Sequence, residues 1–157
     1  MRLGLAACLI LLSGAALAQT DPGPTKNAEP SLTVDPPTTP AKGDGAPTLQ
    51  GITYRTHVVL PNGQTIDLVP DFHFIAPNGN AVILRRELVD TNSPISQGQL
   101  NNATINLPEA AQKKGAVISG GWRCGPQVYY ITQRASVMDA EGNRSNSIQY
   151  TIHCNGG

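Results

Sequence analysis

Residues 129–154 read Tyr-Tyr-Ile-Thr-Gln-Arg-Ala-Ser-Val-Met-Asp-Ala-Glu-Gly-Asn-Arg-Ser-Asn-Ser-Ile-Gln-Tyr-Thr-Ile-His-Cys, and this stretch decides the fold. Tyr129, Ile131, Ala135 and Val137 fall on one side of an extended chain, and Tyr130, Thr132, Arg134 and Ser136 on the other. That is the period of two expected of a half-buried strand. Residues 139–145 gather Asp, Glu, Gly, Asn and Ser, the side chains that reverse a chain by bonding their own backbone or by tolerating a positive φ. Ile148, Tyr150, Ile152 and Cys154 then share a face opposite Gln149, Thr151 and His153. The stretch is a β-hairpin closed by a cysteine, and it names neither a reaction nor a ligand.

Upstream, the same period recurs. Ile52, Tyr54, Thr56, Val58 and Leu60 alternate against Thr53, Arg55 and His57; Pro61-Asn62-Gly63 turns the chain; Ile66, Leu68 and Val69 suggest a short return strand that stops before Pro70. Phe72, Phe74 and Ala76 alternate against Asp71 and His73 before a second Pro-Asn-Gly turn at 77–79. Residues 81–89 are read as a strand, because their β-branched side chains follow a turn, although Asn80 could cap a helix instead. Residues 91–102 form a polar loop with Pro94 and Gly98 as breakers. Ala103, Ile105 and Leu107 mark another strand, residues 108–114 a single helical turn between a proline and Gly115, and residues 117–124 a strand with Ile118, Trp122 and Cys124 on one side. Seven or eight short strands with almost no helix predict an all-β fold, an antiparallel β-sandwich.

At the hairpin the chain resembles the closing strands of bacterial immunoglobulin-like and fibronectin type III-like modules. The resemblance lies in the alternating strand, the Asp-x-x-Gly-Asn-x-Ser turn formed by Asp139, Gly142, Asn143 and Ser145, and the final alternating strand. It covers about 26 of the 157 residues. It implies an immunoglobulin-like sandwich, an architecture used mostly for display and binding, although fold does not fix function. The pattern departs from true immunoglobulin domains, where the tryptophan lies between two widely spaced cysteines. Here Trp122 precedes both Cys124 and Cys154, so the immunoglobulin inter-sheet bridge is not carried over.

The first eighteen residues combine Arg2, an apolar run over 3–12 and Ala16-Leu17-Ala18, the three parts of a secretory signal peptide, which places cleavage after Ala18. The run is too short for a stable membrane span, which needs about 20 apolar residues. A competing reading, Leu5-Ala6-Ala7-Cys8 as a lipoprotein box, is set aside because cleavage there leaves the apolar residues 9–18 on the mature chain. The export reading makes the protein periplasmic or secreted and leaves Cys124 and Cys154 as the one possible intrachain pair, in a compartment where disulfides persist. It also leaves ten Lys and Arg against eleven Asp and Glu, with no basic field for nucleic acid. Residues 19–48 hold seven of the thirteen prolines and no aromatic residue, so this segment is expected to be a disordered linker. The domain division is therefore signal peptide 1–18, linker 19–48 and sandwich 49–157.

Candidate chemistry is sparse. Asp139, Glu141 and Asn143 superficially resemble a calcium loop, but the twelfth position is Tyr150 within a strand, so the turn reading is preferred. His57, His73 and His153 could serve a copper or zinc carrier, yet none are paired at ligand spacing and they are read as solvated. There is no Gly-x-Ser-x-Gly elbow, His-Glu-x-x-His helix or phosphate loop, and Asp67 and Asp71 are separated by Pro70. No catalytic residue, metal site or cofactor is assigned. Trp122 and Arg123 are the residue types favoured at binding hot spots and are the candidate ligand contacts, the competing role for Trp122 being a core residue. The sequence therefore points to a non-enzymatic envelope module that binds a protein or glycan. The alternatives are a periplasmic inhibitor that inserts loop 91–102 into an enzyme, and the metal carrier. Oligomeric state is left open.

Overall fold

The computed structural model describes residues 29–36 and 45–156. The signal peptide expected at 1–18 and much of the expected linker lie outside them. Eight strands are described: β1 Ser31–Val34, β2 Thr48–Val59, β3 Thr65–Ile75, β4 Ala81–Thr91, β5 Ala103–Asn106, β6 Ala116–Ser119, β7 Val128–Asp139 and β8 Ile148–Asn155. One helical turn, α1 Glu109–Lys114, follows Pro108 and ends at Gly115, whose φ of +107° is readily available to glycine. The strands form two antiparallel sheets, β1-β8-β7-β4-β5 and β2-β3-β6, packed face to face as a β-sandwich.

The hairpin read from residues 129–154 is β7 and β8, in register from Val128 opposite Asn155 to Ala135 opposite Ile148. Its turn is built by Asp139, which is 2% exposed. One carboxylate oxygen accepts the backbone N–H groups of Glu141 and Asn143 at 3.0 and 2.9 Å, and the other accepts the Asn143 side-chain amide at 3.1 Å. Gly142 supplies a φ of +89°. The carboxylate that invites a calcium reading is thus the keystone of the turn.

The core forms where inward side chains of the two sheets interdigitate. Phe72 from β3 meets Tyr150 from β8 edge to face, with ring centroids 5.6 Å apart, and both are fully buried. Burial of each such ring stabilises the fold by about 2–3 kcal/mol. The Tyr150 hydroxyl donates to the buried Gln133 side chain. Burial pushes this phenol far above its ordinary range, with the Arg86 charge opposing. The Tyr150–Gln133 bond lies within one sheet, between neighbouring strands; a polar tie between the sheets lies at the turn end of the hairpin. Asn146, 5% exposed, accepts the Leu49 N–H at 2.8 Å and donates to the Leu49 carbonyl at 2.9 Å, so one side chain satisfies a buried stretch of β2 as another strand would.

Two expectations need correction. The linker assigned to 19–48 includes ordered chain: Ser31–Val34 pairs with β8 from Ser31 opposite His153 to Val34 opposite Tyr150, and Pro30, Leu32 and Pro47 are buried. The ordered domain therefore begins upstream of Leu49, because β8 would otherwise present an unpaired edge. In addition, the separate strands expected on either side of Pro70 are one strand, β3. Pro70 sits opposite Tyr54 of β2, and its missing N–H faces β6. Gly120 donates to the Pro70 carbonyl at 3.0 Å, and the reciprocal bond cannot form.

The disulfide joins Cys124 to Cys154 with Cα atoms 5.3 Å apart. The partners are 30 residues apart, a loop for which chain entropy gives about 3 to 4 kcal/mol. Replacing both cysteines by alanine is expected to lower the urea-unfolding free energy by that amount; a loss under 1 kcal/mol would contradict this role.

Candidate functional site

Trp122 lies where the register of β6 continues past its last residue. Ser119 is opposite Asp71, and Trp122 is opposite Leu68, exchanging backbone bonds of 2.7 and 3.1 Å with it. Gly121 lies against Ile66: an added Cβ would stand 2.7 Å from the Ile66 Cδ1 and displace that side chain. The indole N–H of Trp122 donates to the Tyr129 hydroxyl at 2.9 Å, Tyr129 is the cross-strand partner of Cys154, and Cys154 is bonded back to Cys124. The Cys124 N–H donates to Asp67 at 2.9 Å. Trp122, Tyr129 and the two cysteines thus form a closed ring of contacts that joins the sheets at one end of the sandwich. Burial raises the Tyr129 phenol above its ordinary range, the Trp122 bond opposing this and the Asp67 charge adding to it, so its proton is retained at neutral pH.

The facing wall is the loop 92–102. Gln97 fastens it to β4 as a strand residue would, accepting the Leu88 N–H at 2.7 Å and donating to the Arg86 carbonyl at 3.0 Å, beside the bulge between Leu88 and Asp90. The Arg86 guanidinium donates to the Asn101 carbonyl, Asn92 accepts the Tyr130 N–H at 2.9 Å, and Leu100 is buried. Between the two walls is an open cleft of about 420 Å³ whose lining includes Ser93, Ile95, Gln127, Trp122, Arg123 and Tyr129. Arg123 is exposed and makes no ion pair or hydrogen bond among the described residues. Trp122 is half-buried, packed against the core on one side and lining the cleft on the other. Trp122 thus belongs to the margin of the core and to the wall of the cleft.

The other candidates are dispersed. His57 is exposed, 3.8 Å from Glu29, with a φ of +50°. His73 hydrogen-bonds Thr53 at 2.8 Å, and His153 lies 3.4 Å from the Thr33 hydroxyl on the other sheet. Gly51, the β2 partner of His73, is six residues from His57, or about 20 Å along the strand. The three imidazoles do not converge, and among the described residues no group of three or more His, Cys, Asp or Glu is placed to hold a metal ion. Asp71 is engaged structurally: Arg55 grips it through Nε at 2.7 Å and Nη2 at 2.9 Å, and Ser119 donates to it at 2.6 Å. Ser119 and His73 share this sheet face, but the serine hydroxyl bonds Asp71 rather than the imidazole. Asp67 is held by Cys124, so Asp67 and Asp71 have separate duties.

The cleft brings together the two residues singled out in the sequence and adds a wall, loop 92–102, that alternation could not reveal. Gln97 and Arg86 position that wall. Only Arg86 leaves a trace in the sequence, a cation at an inward position after Val82 and Leu84.

Comparison of the chain with protein-family models, with curated proteins and with solved structures gives no match.

The Arg55 hydrogen bonds, aided by Ser119 and opposed by burial, hold the Asp71 carboxyl below the usual carboxylate range. A depressed folded-state pKa contributes stability above the unfolded value of about 3.9, and that contribution is lost as pH falls through the folded value. Asp71→Asn is therefore expected to be less stable than the parent at pH 7, with the gap closing below about pH 4. A gap in urea-unfolding free energy that stays constant from pH 7 down to the acid limit would contradict the ion pair's role.

Proposed function

We propose that this chain is an exported, non-enzymatic β-sandwich module that binds a protein or glycan of the bacterial cell envelope through the cleft between loop 92–102 and Trp122-Arg123. The observation that carries the reading is the Arg123 guanidinium, unpaired among the described residues, beside the single tryptophan of the chain, on a cleft braced by a disulfide. An exposed cation with no partner among the described residues is available to a ligand, and an aromatic wall next to it adds area at low entropic cost. The disulfide, together with the absence among the described residues of any helix long and apolar enough to cross a membrane, is compatible with an exported chain. The reactive-type side chains that lie close together, Ser119 with Asp71 and His73 with Thr53, bond one another in ways that serve the sheet, which supports a binding role over a hydrolytic one.

The inhibitor alternative gains nothing from the geometry of loop 92–102, whose side chains fasten it inward to β4 and β7. The carrier alternative fares no better, with its three histidines apart.

Affinity capture from an envelope extract tests the reading. The parent protein is expected to retain a ligand that the Trp122→Ala, Arg123→Glu variant retains about tenfold less, a loss of about 1.4 kcal/mol. Equal retention by both would sink the cleft as the binding site. Recovery of a lytic enzyme that loses activity on capture would favour inhibition instead.

A further inference from the structure

β6 is an outer strand of the three-stranded sheet, and the chain that continues from it, Gly121 and Trp122, lines the cleft. The backbone groups of Gly120 and Trp122 bond to β3, and antiparallel alternation puts those of Ile118 in the same set. The backbone groups of Val117, Ser119 and Gly121 therefore point away from the sheet, and all three residues are exposed. Natural edges are guarded by charge, proline, bulges or brevity. The long edge strand β2 has a bulge between Leu49 and Gly51, the cation Arg55 and the positive φ of His57; β1, β5 and β6 are each only four residues long, but the ladder of β6 continues through Gly120 and Trp122. Residues 116–122 read Ala-Val-Ile-Ser-Gly-Gly-Trp, with no charge and no proline, and their register against β3 is unbroken from Ala116 opposite Phe74 to Trp122 opposite Leu68. Over these seven residues the edge carries no charge, proline or bulge, and it is flanked by cations at both ends. Lys113 and Lys114 stand at the end of α1 and Arg123 follows Trp122; all three are exposed, and none of their side chains makes an ion pair or hydrogen bond among the described residues.

The charges choose the occupant. Antiparallel pairing of two copies through this edge would bring Lys113 and Lys114 of one against Arg123 of the other, and like charges across a strand pair are destabilising. An extended peptide with an uncharged, β-forming centre and a carboxylate at each end satisfies the same edge with opposite charge.

We propose that such a peptide segment of a partner protein adds as a fourth strand along β6, its centre bonded to Val117, Ser119 and Gly121, one carboxylate on Arg123 beside Trp122 and the other at Lys113-Lys114. Main-chain bonds supply affinity, and the flanking cations select an acidic-ended strand. The inference rests on the reading of the cleft as a ligand site and assigns it a protein rather than a glycan.

Two synthetic octapeptides test it, each with three valine-threonine repeats, one ending in glutamate at both ends and the other in lysine. Trp122 is the only tryptophan, so its emission reports the cleft directly. The glutamate-ended peptide is expected to shift that emission saturably, to slow exchange of the Val117, Ser119 and Gly121 amide protons, and to bind at least about tenfold more tightly than its lysine twin. Arg123→Glu should narrow or invert that preference. Val117→Pro, which removes one outward N–H where a proline is sterically tolerated, should weaken binding while the far-ultraviolet spectrum stays unchanged. Equal binding of the two peptides, or protection that falls outside β6, would overturn the proposal. If soluble cell-wall glycan fragments shift the emission and neither peptide does, this inference fails and the binding-module reading stands; silence from peptides and glycans alike overturns both.

Discussion

The Cys124–Cys154 bond is the constraint on which the end of the sandwich depends. Cys154 belongs to the last strand of the five-stranded sheet, while Cys124 lies two residues beyond Trp122, which is itself paired to β3 of the other sheet. The bond therefore ties one sheet to the other at the point where β6 stops. Without it, residues 120–127 would be held by the Gly120 bond to the Pro70 carbonyl, the Leu68 backbone pair, the Asp67 bond to Cys124 and the indole bond to Tyr129. Each such hydrogen bond contributes only about 1 kcal/mol net, so the covalent link sets the position of Trp122 and Arg123. The immunoglobulin bridge was not transferable, yet an inter-sheet bridge exists here by another route, through a segment outside the named strands.

Alternation made most of the fold legible, and it failed where a residue answers to a non-local partner. The hairpin of residues 129–154 could be read because β7 and β8 bury one face each and their turn is a local device of Asp139, Gly142 and Asn143. β1 could not: Ser31–Val34 is four residues among prolines, and nothing local announces that Leu32 will be buried against β8. Pro70 misled for a related reason. A proline normally ends a central strand, but here its ring nitrogen replaces only one ladder bond, on the β6 side, and the strand continues through it. Trp122 and Arg123 could be named from residue type, whereas the wall opposite them, held by Gln97 and Arg86, depends on side-chain to backbone bonds that no periodicity encodes.

Polar groups inside the sandwich specify its closure. Asn146 substitutes for a strand at Leu49 and so ties the two sheets, while Gln133 accepts the hydroxyl of Tyr150, its partner on the neighbouring strand of the same sheet. Arg86 helps hold the cleft wall, its guanidinium lying beside Gly120 and donating to the Asn101 carbonyl. The cleft is thus a consequence of how the two sheets are sealed at one end. That seal leaves the β6 edge open, with Arg123 at its margin.

Native-state hydrogen exchange of the oxidised and the reduced protein tests the central claim most directly, that the disulfide positions the cleft while the strand ladders stand without it. On reduction, the amide protons of Leu68, Trp122 and Cys124 are expected to exchange markedly faster, with those of Ile131, Thr132 and Ile152 in the hairpin remaining protected. Equal loss of protection in the hairpin and the cleft, or none in either, would contradict the account.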